Sequence, residues 1–316
     1  MKQYLELLKH VKDKGVLKGD RTGTGTKSVF GYQTRFDLRQ GFPMVTTKKL
    51  HFKSIAIELL WLISGSTNIK FMVDNGCNIW NEWSDSDGEL GDIYGKQWRS
   101  WETPKGEYID QLTNVIERIK VKPDCRRLIV NAWNPYNVPD DSLSFAENIK
   151  NGKSALATCH SFFQLYSSEM HPNDRESEFK KQYADKLNEW DLRQSEYENK
   201  MNELNFPTRY LDLGVYLRSN DLFLGNPYNT ASYALLMCMI GQEVNMIPKD
   251  LVMSIGDGHI YSNHFEQVDL QLTREPMKLP TIKLNPNIKR VVDFTWDDIE
   301  LLGYNAHSHI KGDIAI

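Results

Sequence analysis

The arginines with the most suggestive positions in this sequence border predicted strands. A guanidinium offers a planar fork of N–H donors that fits phosphate oxygens bidentately. The candidates for such a clamp, together with one neighbouring hydroxyl, are Arg21, Arg126, Arg127, Arg218 and Ser219. Any one arginine could equally form an ordinary surface ion pair. The adjacent pair before one strand and the Arg-Ser pair at the end of another favour a site for an anion.

Cys159 is the candidate nucleophile, and His160 follows it at the start of a predicted strand. The thiolate is the reactive form of cysteine, and nearby arginines would lower the pKa of the thiol and raise the thiolate fraction. The alternative is a buried, inert cysteine, which we favour for Cys77 and Cys238. Both interpretations stay open for Cys159 at this point, because His160 would point to the opposite face of the strand.

Two polar side chains fall in helices that are otherwise apolar. Glu58 lies within the predicted helix at 51–63, which His51 begins. A carboxylate there is costly unless it is paired or transfers protons. Asn229 begins a second apolar helix, at 228–241. Its amide both donates and accepts hydrogen bonds and could bind a pyrimidine edge, although a helix N-cap would use an asparagine equally well.

The elements that must position these residues do not alternate regularly. Hydrophobic periodicity predicts helices at 3–13, 51–63, 109–119 and 228–241. Strands are predicted at 27–38, 127–133, 160–166, 211–217 and 251–255. We therefore predict the α+β class, and the length of 316 residues allows one large domain or two small ones. Mixed charge and apolar residues at helical spacing indicate a helical, solvated insert at about 167–209.

Composition excludes several classes of protein. The 316 residues carry a net charge of −4, which provides no basic field for DNA or a membrane surface. No apolar stretch reaches the ~20 residues of a bilayer span, and the first residues lack a signal-peptide core, so we predict a cytoplasmic protein. The 4 cysteines form no CxxC pair, and we expect no metal. Segment 18–28 matches neither phosphate-binding glycine motif.

Several segments of the chain resemble thymidylate synthases, and they occur in the family's order. They are DRTGTGT (20–26), FPMVTTKKLHFKSIAIELLW (42–61), IWNEW (79–83), GDIYGKQWRSW (91–101), CRRLIVNAWNP (125–135), CHSFFQLY (159–166), RSNDLFLGNPYNTASYALL (218–236), GDGHIYSNH (256–264) and AI (315–316). The resemblance implies an α+β fold, a mixed sheet flanked by helices in a homodimer packed through the sheet face. It also implies reductive methylation of dUMP to dTMP, with 5,10-methylenetetrahydrofolate as one-carbon and hydride donor and dihydrofolate as product.

The resemblance implies roles for the matching residues. Those in catalysis are Cys159, Glu58, Tyr94 and Asn229. Those that bind dUMP are Arg21, His160, Arg218, Ser219, Asp221, Asn229, His259 and Tyr261, with Arg126 and Arg127 reaching the site of the partner subunit. Those that bind the folate are His51, Trp80, Trp83, Asp221, Gly225 and Ile316, with Lys48 toward its glutamate tail.

The chain departs from the family pattern at five places, and two other functions stay open. The departures are Ala157-Thr158, Leu217, Gly312-Asp313 and the longer segments at 136–155 and 167–209. The nearest alternative is a dUMP hydroxymethylase of the same fold, in which water captures the exocyclic methylene. Asn229 argues against a cytosine substrate, and Trp80 argues mildly against water entry. A nucleotide- or RNA-binding protein without catalysis is the other alternative, which the presence of Cys159, Glu58 and Tyr94 disfavours.

Overall fold

The computed structural model describes residues 1–20 and 23–314. Arg21 and Ile316, which the resemblance assigns to phosphate binding and site closure, lie outside the described residues. The helices are α1 Lys2–Lys14, α2 Phe52–Ser64, α3 Lys70–Asp74, α4 Gly95–Arg99, α5 Gln111–Val121, α6 Phe145–Lys150, α7 Pro172–Gln182, α8 Leu187–Trp190, α9 Tyr197–Glu203, α10 Gly225–Val244 and α11 Phe265–Leu272. The strands are β1 Val16–Lys18, β2 Thr26–Asp37, β3 Trp101–Glu102, β4 Tyr108–Ile109, β5 Ile129–Asn131, β6 His160–Glu169, β7 Arg209–Asp221, β8 Ile247–Tyr261, β9 Thr281–Leu284 and β10 Ile299–Leu302.

A six-stranded mixed sheet organises the molecule, in the order β1-β2-β8-β7-β6-β5. Strands β7 and β8 run parallel, and the other neighbours are antiparallel. Helix α1 packs on β2 and β8, and α10 packs on β7 and β8. The predicted α+β class and the mixed sheet flanked by helices are confirmed.

Amphipathic and wholly apolar helices account for much of the core. Helix α1 buries Tyr4, Leu7, Leu8 and Val11, the stripe whose spacing predicts it. Helices α2 and α10 are buried on nearly every side, because each lies between other elements rather than at the surface. No helix among the described residues is both long and apolar enough to cross a membrane.

Strand β8 is much longer than the predicted strand at 251–255. It pairs with β2 on one side and β7 on the other, and it continues through Gly256 and Gly258 to Tyr261. A Cβ at Gly256 would lie 2.7 Å from the carbonyl oxygen of Arg218, so the close approach of β7 requires glycine. Gly256 and Gly258, which follow the predicted strand, therefore belong to β8, which carries His259 and Tyr261 at its end.

The segment between β6 and β7 forms a small unit of its own around α7, α8 and α9. Phe179, Met201 and Phe206 are its buried residues, with Tyr183 and Trp190 packed against them. Because Glu169 pairs with Arg209, this unit leaves the sheet at the end of β6 that is farthest from His160. The insert thus lies away from the residues discussed next.

Candidate active site

Three strands bring the candidate residues to one edge of the sheet. Parallel strands end at the same edge, so Ser219 of β7 lies opposite Asp257 of β8, and Asp221 lies opposite His259. Strand β6 runs antiparallel to β7 and therefore begins at this edge, directly after Cys159. Residues from distant parts of the sequence thus converge around the thiol.

The loop that carries Cys159 is held by two side chains. The hydroxyl of Tyr94 accepts a hydrogen bond from the backbone N–H of Cys159, at 2.8 Å. The Arg218 guanidinium donates from Nε to the carbonyl of Thr158, at 2.8 Å, and from Nη2 to the carbonyl of Ala157, at 2.9 Å. Both bonds are accepted by backbone carbonyls, those of Ala157 and Thr158, which are residues that depart from the family pattern. The same bonds would form with other side chains at positions 157 and 158.

The thiol of Cys159 is less acidic than the sequence analysis expected. Burial raises the pKa of Cys159 above its usual range, while the charge of Arg218 and a hydrogen bond from Tyr94 act in the opposite direction. The predicted effect of a nearby arginine is present, but desolvation of the thiolate outweighs it. The thiol is accordingly the main form at neutral pH, and Arg218 sets how much thiolate is available.

Replacing Arg218 should make Cys159 less reactive. In Arg218→Met the opposing charge is lost, so the pKa of the thiol should rise further. A rise of one pH unit in that pKa should slow alkylation at pH 8 by about tenfold, because the thiolate fraction falls by the same factor. The measurement is the iodoacetamide rate against pH, with Cys159→Ser identifying the thiol that reacts. Arg218→Lys keeps the charge and should retain most of the rate; an unchanged profile in Arg218→Met would refute this electrostatic role.

His160 lies on the same side as Tyr94, which differs from the sequence expectation. A simple alternation would turn it away from the Cys159 side, but the register of β6 against β7 shifts between His160 and Phe162. The ring of His160 therefore packs 4.9 Å from that of Tyr94, measured between centroids. Burial lowers the pKa of His160 to about 4, opposed by a hydrogen bond with Asn229, so the imidazole is neutral.

Glu58, Trp80 and Tyr94 are connected in series, and Tyr94 contacts the Cys159 segment. Trp80 donates from Nε1 to Oε1 of Glu58, at 2.7 Å, and its ring lies 6.0 Å from that of Tyr94 and 5.7 Å from that of Trp83. Burial raises the pKa of Glu58 to about 7, and the bond from Trp80 opposes this shift. The carboxyl group can therefore both take up and release a proton near neutral pH.

Tyr94 is held in an unusual backbone conformation at the start of α4. Its φ is 29°, a region that non-glycine residues rarely occupy. Burial raises the pKa of its hydroxyl well above the usual range, so the phenol is neutral. This geometry aims the hydroxyl at the backbone of Cys159.

A chain of asparagine amides fixes Asn229. Asn226 donates from Nδ2 to Oδ1 of Asn220, at 2.6 Å, and Asn220 donates from Nδ2 to Oδ1 of Asn229, at 2.9 Å. Helix α10 begins at Gly225, so Asn229 lies inside the helix and the N-cap interpretation is wrong. With its oxygen occupied by Asn220, Asn229 presents N–H donors.

Asp221 and Gly225 lie beside this amide chain. Oδ1 of Asp221 accepts the backbone N–H groups of Phe223, at 2.9 Å, and Leu224, at 3.2 Å, which fixes the turn into α10. A Cβ at Gly225 would meet Asn229 and Asp221 only at an ordinary 3.7 Å. Packing within the chain therefore does not require glycine there.

Lys48 is not placed to meet an extended ligand tail at the surface. Its side chain is fully buried, its ammonium donates to the carbonyl of Phe223, and Nζ lies 3.4 Å from the centre of the Phe223 ring. Burial lowers the pKa of Lys48 to about 7, with Asp221 acting in the opposite direction. In this structure Lys48 therefore packs against the turn between β7 and α10.

The other predicted residues lie farther from Cys159. His51 is exposed at the start of α2, with Nδ1 2.7 Å from Oγ of Ser54. Arg126 and Arg127 are exposed just before β5, where the Arg126 carbonyl accepts a bond from Gln164, four residues along β6 from His160. The structure therefore does not bring these two arginines to the thiol of their own chain.

The sequence analysis missed Asp257, Asn220 and Asn226. Asp257 precedes His259 by two positions in a strand, so both side chains lie on one face. Its Oδ1 lies 3.2 Å from Nδ1 of His259, and its Oδ2 accepts from Nζ of Lys18, at 2.8 Å. Alternation in GDGHIY was the available signal, but the glycines hid the strand.

The site combines a partly buried thiol, a guanidinium, a titratable carboxyl group and a fixed amide. Such a set suits nucleophilic chemistry on an anionic ligand that forms hydrogen bonds. The described residues contain no group of three or more His, Cys, Asp or Glu side chains that could hold a metal ion. Residues 2–316 match the family model of thymidylate synthase. The chain belongs to the thymidylate synthase family, whose members are methyltransferases that act on dUMP with methylenetetrahydrofolate.

Proposed function

We propose that this protein is a thymidylate synthase that converts dUMP to dTMP and methylenetetrahydrofolate to dihydrofolate. The observation that carries the proposal is the hydrogen bonding of the Cys159 segment to Tyr94 and Arg218. Asn229 bonds to the adjacent His160, and Glu58 is connected to Tyr94 through Trp80. Residues 1–316 would form one catalytic domain that carries the insert at 167–209. A cytoplasmic location stays a prediction from the sequence.

The reaction needs a nucleophilic group on the enzyme, because C5 of uracil is itself a poor nucleophile and must be activated. Addition of the Cys159 thiolate to C6 gives an enolate, and C5 then attacks the methylene carbon of the folate. Loss of the C5 proton and elimination of tetrahydrofolate leave an exocyclic methylene on the nucleotide. Hydride transfer from the tetrahydrofolate reduces that methylene to methyl, and release of the thiolate gives dTMP and dihydrofolate.

Glu58 and Tyr94 suit the proton transfers of this sequence. A carboxyl group with a pKa near 7 can exchange protons with ordered water at working pH. The neutral Tyr94 hydroxyl, fixed beside Cys159, can assist removal of the C5 proton. Trp80 fills the space between the two groups, which favours hydride over water as the species that captures the exocyclic methylene.

Asn229 supports uracil as the base. Its amide oxygen is occupied by Asn220, so an N–H of Asn229 is available to donate to a carbonyl oxygen of the pyrimidine. A cytosine would present an amino group there, and two donors would face each other. The phosphate and the deoxyribose would be held by Ser219, Arg218, His259, Tyr261 and Arg21.

We further propose a homodimer packed through the open face of the sheet. Exposed apolar side chains on this face include Ile129, Phe162 and Tyr166, and the ring of Phe162 stacks on that of Tyr216 at 5.8 Å. A patch of this kind on a sheet face is typical of an interface. Arg126 and Arg127 border it and would reach the phosphate in the partner's site.

Mixed dimers should test the shared site. Cys159→Ser and the double variant Arg126→Ala, Arg127→Ala should each be nearly inactive alone. Random mixing should restore about a quarter of wild-type activity, because half of the dimers are mixed and each has one intact site. Activity after subunit exchange is the measurement, with Cys159→Ser mixed with itself as control. Failure to recover activity in mixed dimers, isolated by a different affinity tag on each subunit, would contradict the proposal.

Product analysis tests the proposed reaction. Incubation with dUMP and methylenetetrahydrofolate should produce the absorbance of dihydrofolate together with dTMP by mass spectrometry. Formation of 5-hydroxymethyl-dUMP without folate oxidation would instead identify the hydroxymethylase. Binding of dUMP without any product would support the non-catalytic alternative.

A further inference from the structure

Asp257 lies behind one of the proposed substrate-binding residues rather than in contact with the reacting atoms. Its carboxylate has two partners: Nδ1 of His259, 3.2 Å from Oδ1, and Nζ of Lys18, 2.8 Å from Oδ2. His259 is 9% exposed, whereas the side chain of Lys18 is about half exposed. The imidazole is therefore the partner whose orientation the carboxylate can fix.

The carboxylate determines which nitrogen of His259 carries the proton. An ionised carboxylate only accepts hydrogen bonds, so Nδ1 must be the donor, and Nε2 is the ring nitrogen that remains for a ligand. The hydrogen bond from His259 and that from Lys18 lower the pKa of Asp257 to about 2, against the effect of burial. Asp257 is therefore ionised throughout the neutral range.

The fold places His259 beside residues proposed to hold the nucleotide. Asp257, His259 and Tyr261 alternate along β8 and so share one face, and His259 lies opposite Asp221 of β7. The ring of Tyr261 packs edge-on against that of His259, with centroids 5.1 Å apart. The bond to Asp257 engages Nδ1, so Nε2 is the nitrogen left to meet a ligand at this end of β8.

We propose that Asp257 is a positioning residue that fixes His259 as a hydrogen-bond acceptor, so that the site selects a ligand with a sugar hydroxyl donor. The proposal rests on the proposed function, in which His259 contacts the deoxyribose of dUMP. A ligand without that hydroxyl would leave the buried acceptor unpaired, and it should be rejected.

Two matched variants separate this role from a structural one. Asp257→Asn keeps the size of the side chain but can donate as well as accept, so the His259 tautomer is no longer imposed. Lys18→Gln removes the other partner and leaves the bond between Asp257 and His259. The readouts are the His259 tautomer from nitrogen NMR of labelled histidine, and the ratio of kcat/KM for dUMP to that for 2′,3′-dideoxyuridine monophosphate.

The wild-type protein should show the Nδ1–H tautomer and a strong preference for dUMP. Asp257→Asn should give a mixed or Nε2–H tautomer and reduce the preference by roughly tenfold, through KM more than kcat. Lys18→Gln should keep both properties. An Nε2–H tautomer in the wild-type protein, or an unchanged tautomer and preference in Asp257→Asn, would overturn the proposal.

The NMR measurement distinguishes this proposal from the proposed function. It needs no turnover, so an inactive wild-type protein with the Nδ1–H tautomer would refute the reaction while the orienting of His259 by Asp257 stands. Selection for the hydroxyl is then read from the dissociation constants of the two nucleotides. If Asp257→Asn fails to fold, Asp257→Glu provides the second variant, and it should restore the Nδ1–H tautomer because it restores the carboxylate.

Discussion

Cys159→Ser should abolish formation of dTMP, with kcat at least ~10³-fold below that of the wild-type protein. A serine hydroxyl at this position has no positioned strong base to ionise it, so addition to C6 fails. The measurement is the initial rate of dihydrofolate formation. Binding of dUMP should weaken little, because the arginine and amide contacts remain.

The other buried thiols provide the control for this result. Burial raises the pKa of Cys238 to about 12 and also raises that of Cys77, which is hydrogen-bonded to the carbonyl of Ser54. Cys77→Ala and Cys238→Ala should therefore keep turnover within a few-fold of the wild-type value, apart from any loss of stability. Residual turnover in Cys159→Ser above about a tenth of the wild-type rate would exclude a covalent role.

Glu58→Gln should lower kcat by about 10²- to 10⁴-fold, the usual contribution of a general acid–base group. The wild-type rate should rise with pH through about 7, because the ionised carboxylate accepts the proton and burial raises the pKa of Glu58 to about 7. The glutamine variant should lack this rise. Tritium release from C5 of dUMP, measured against pH, reports the step directly.

Trp80→Phe should shift the pH dependence of the rate in one direction. In the wild-type protein, Nε1 of Trp80 donates to the carboxylate of Glu58, which favours the ionised form and lowers the pKa of Glu58. Loss of this bond should therefore move the rise in rate to higher pH while leaving the carboxyl group in place. A rise that stays near pH 7, or that persists in Glu58→Gln, would assign the titration to another group.

Hydrophobic patterns in the sequence were sufficient to predict three of the helices that form the core. The spacing of Tyr4, Leu7, Leu8 and Val11 predicts α1, and the continuous apolar runs predict α2 and α10, because burial on a helix leaves a direct trace in the sequence. The position of Cys159 directly before a strand was also predicted, but β7 continues beyond the predicted end at 217 to Asp221, so Arg218 and Ser219 lie within the strand.

Features that depend on pairing between distant strands left no such trace. The register shift after His160 and the extension of β8 to Tyr261 both arise from contacts with β7. The pKa of the Cys159 thiol depends on how far the thiol is removed from water. The number of nearby arginines in the sequence does not predict this. The burial of Lys48 against Phe223 likewise requires the fold.

Mass spectrometry with a 5-fluorinated dUMP analogue and methylenetetrahydrofolate tests the central claim most directly. Fluorine cannot leave C5 as a proton does, so the reaction should stop after C5 has bound the methylene carbon. A peptide that contains Cys159 should then carry both the nucleotide and the folate. Absence of the adduct from Cys159, or its appearance on another residue, would contradict the mechanism.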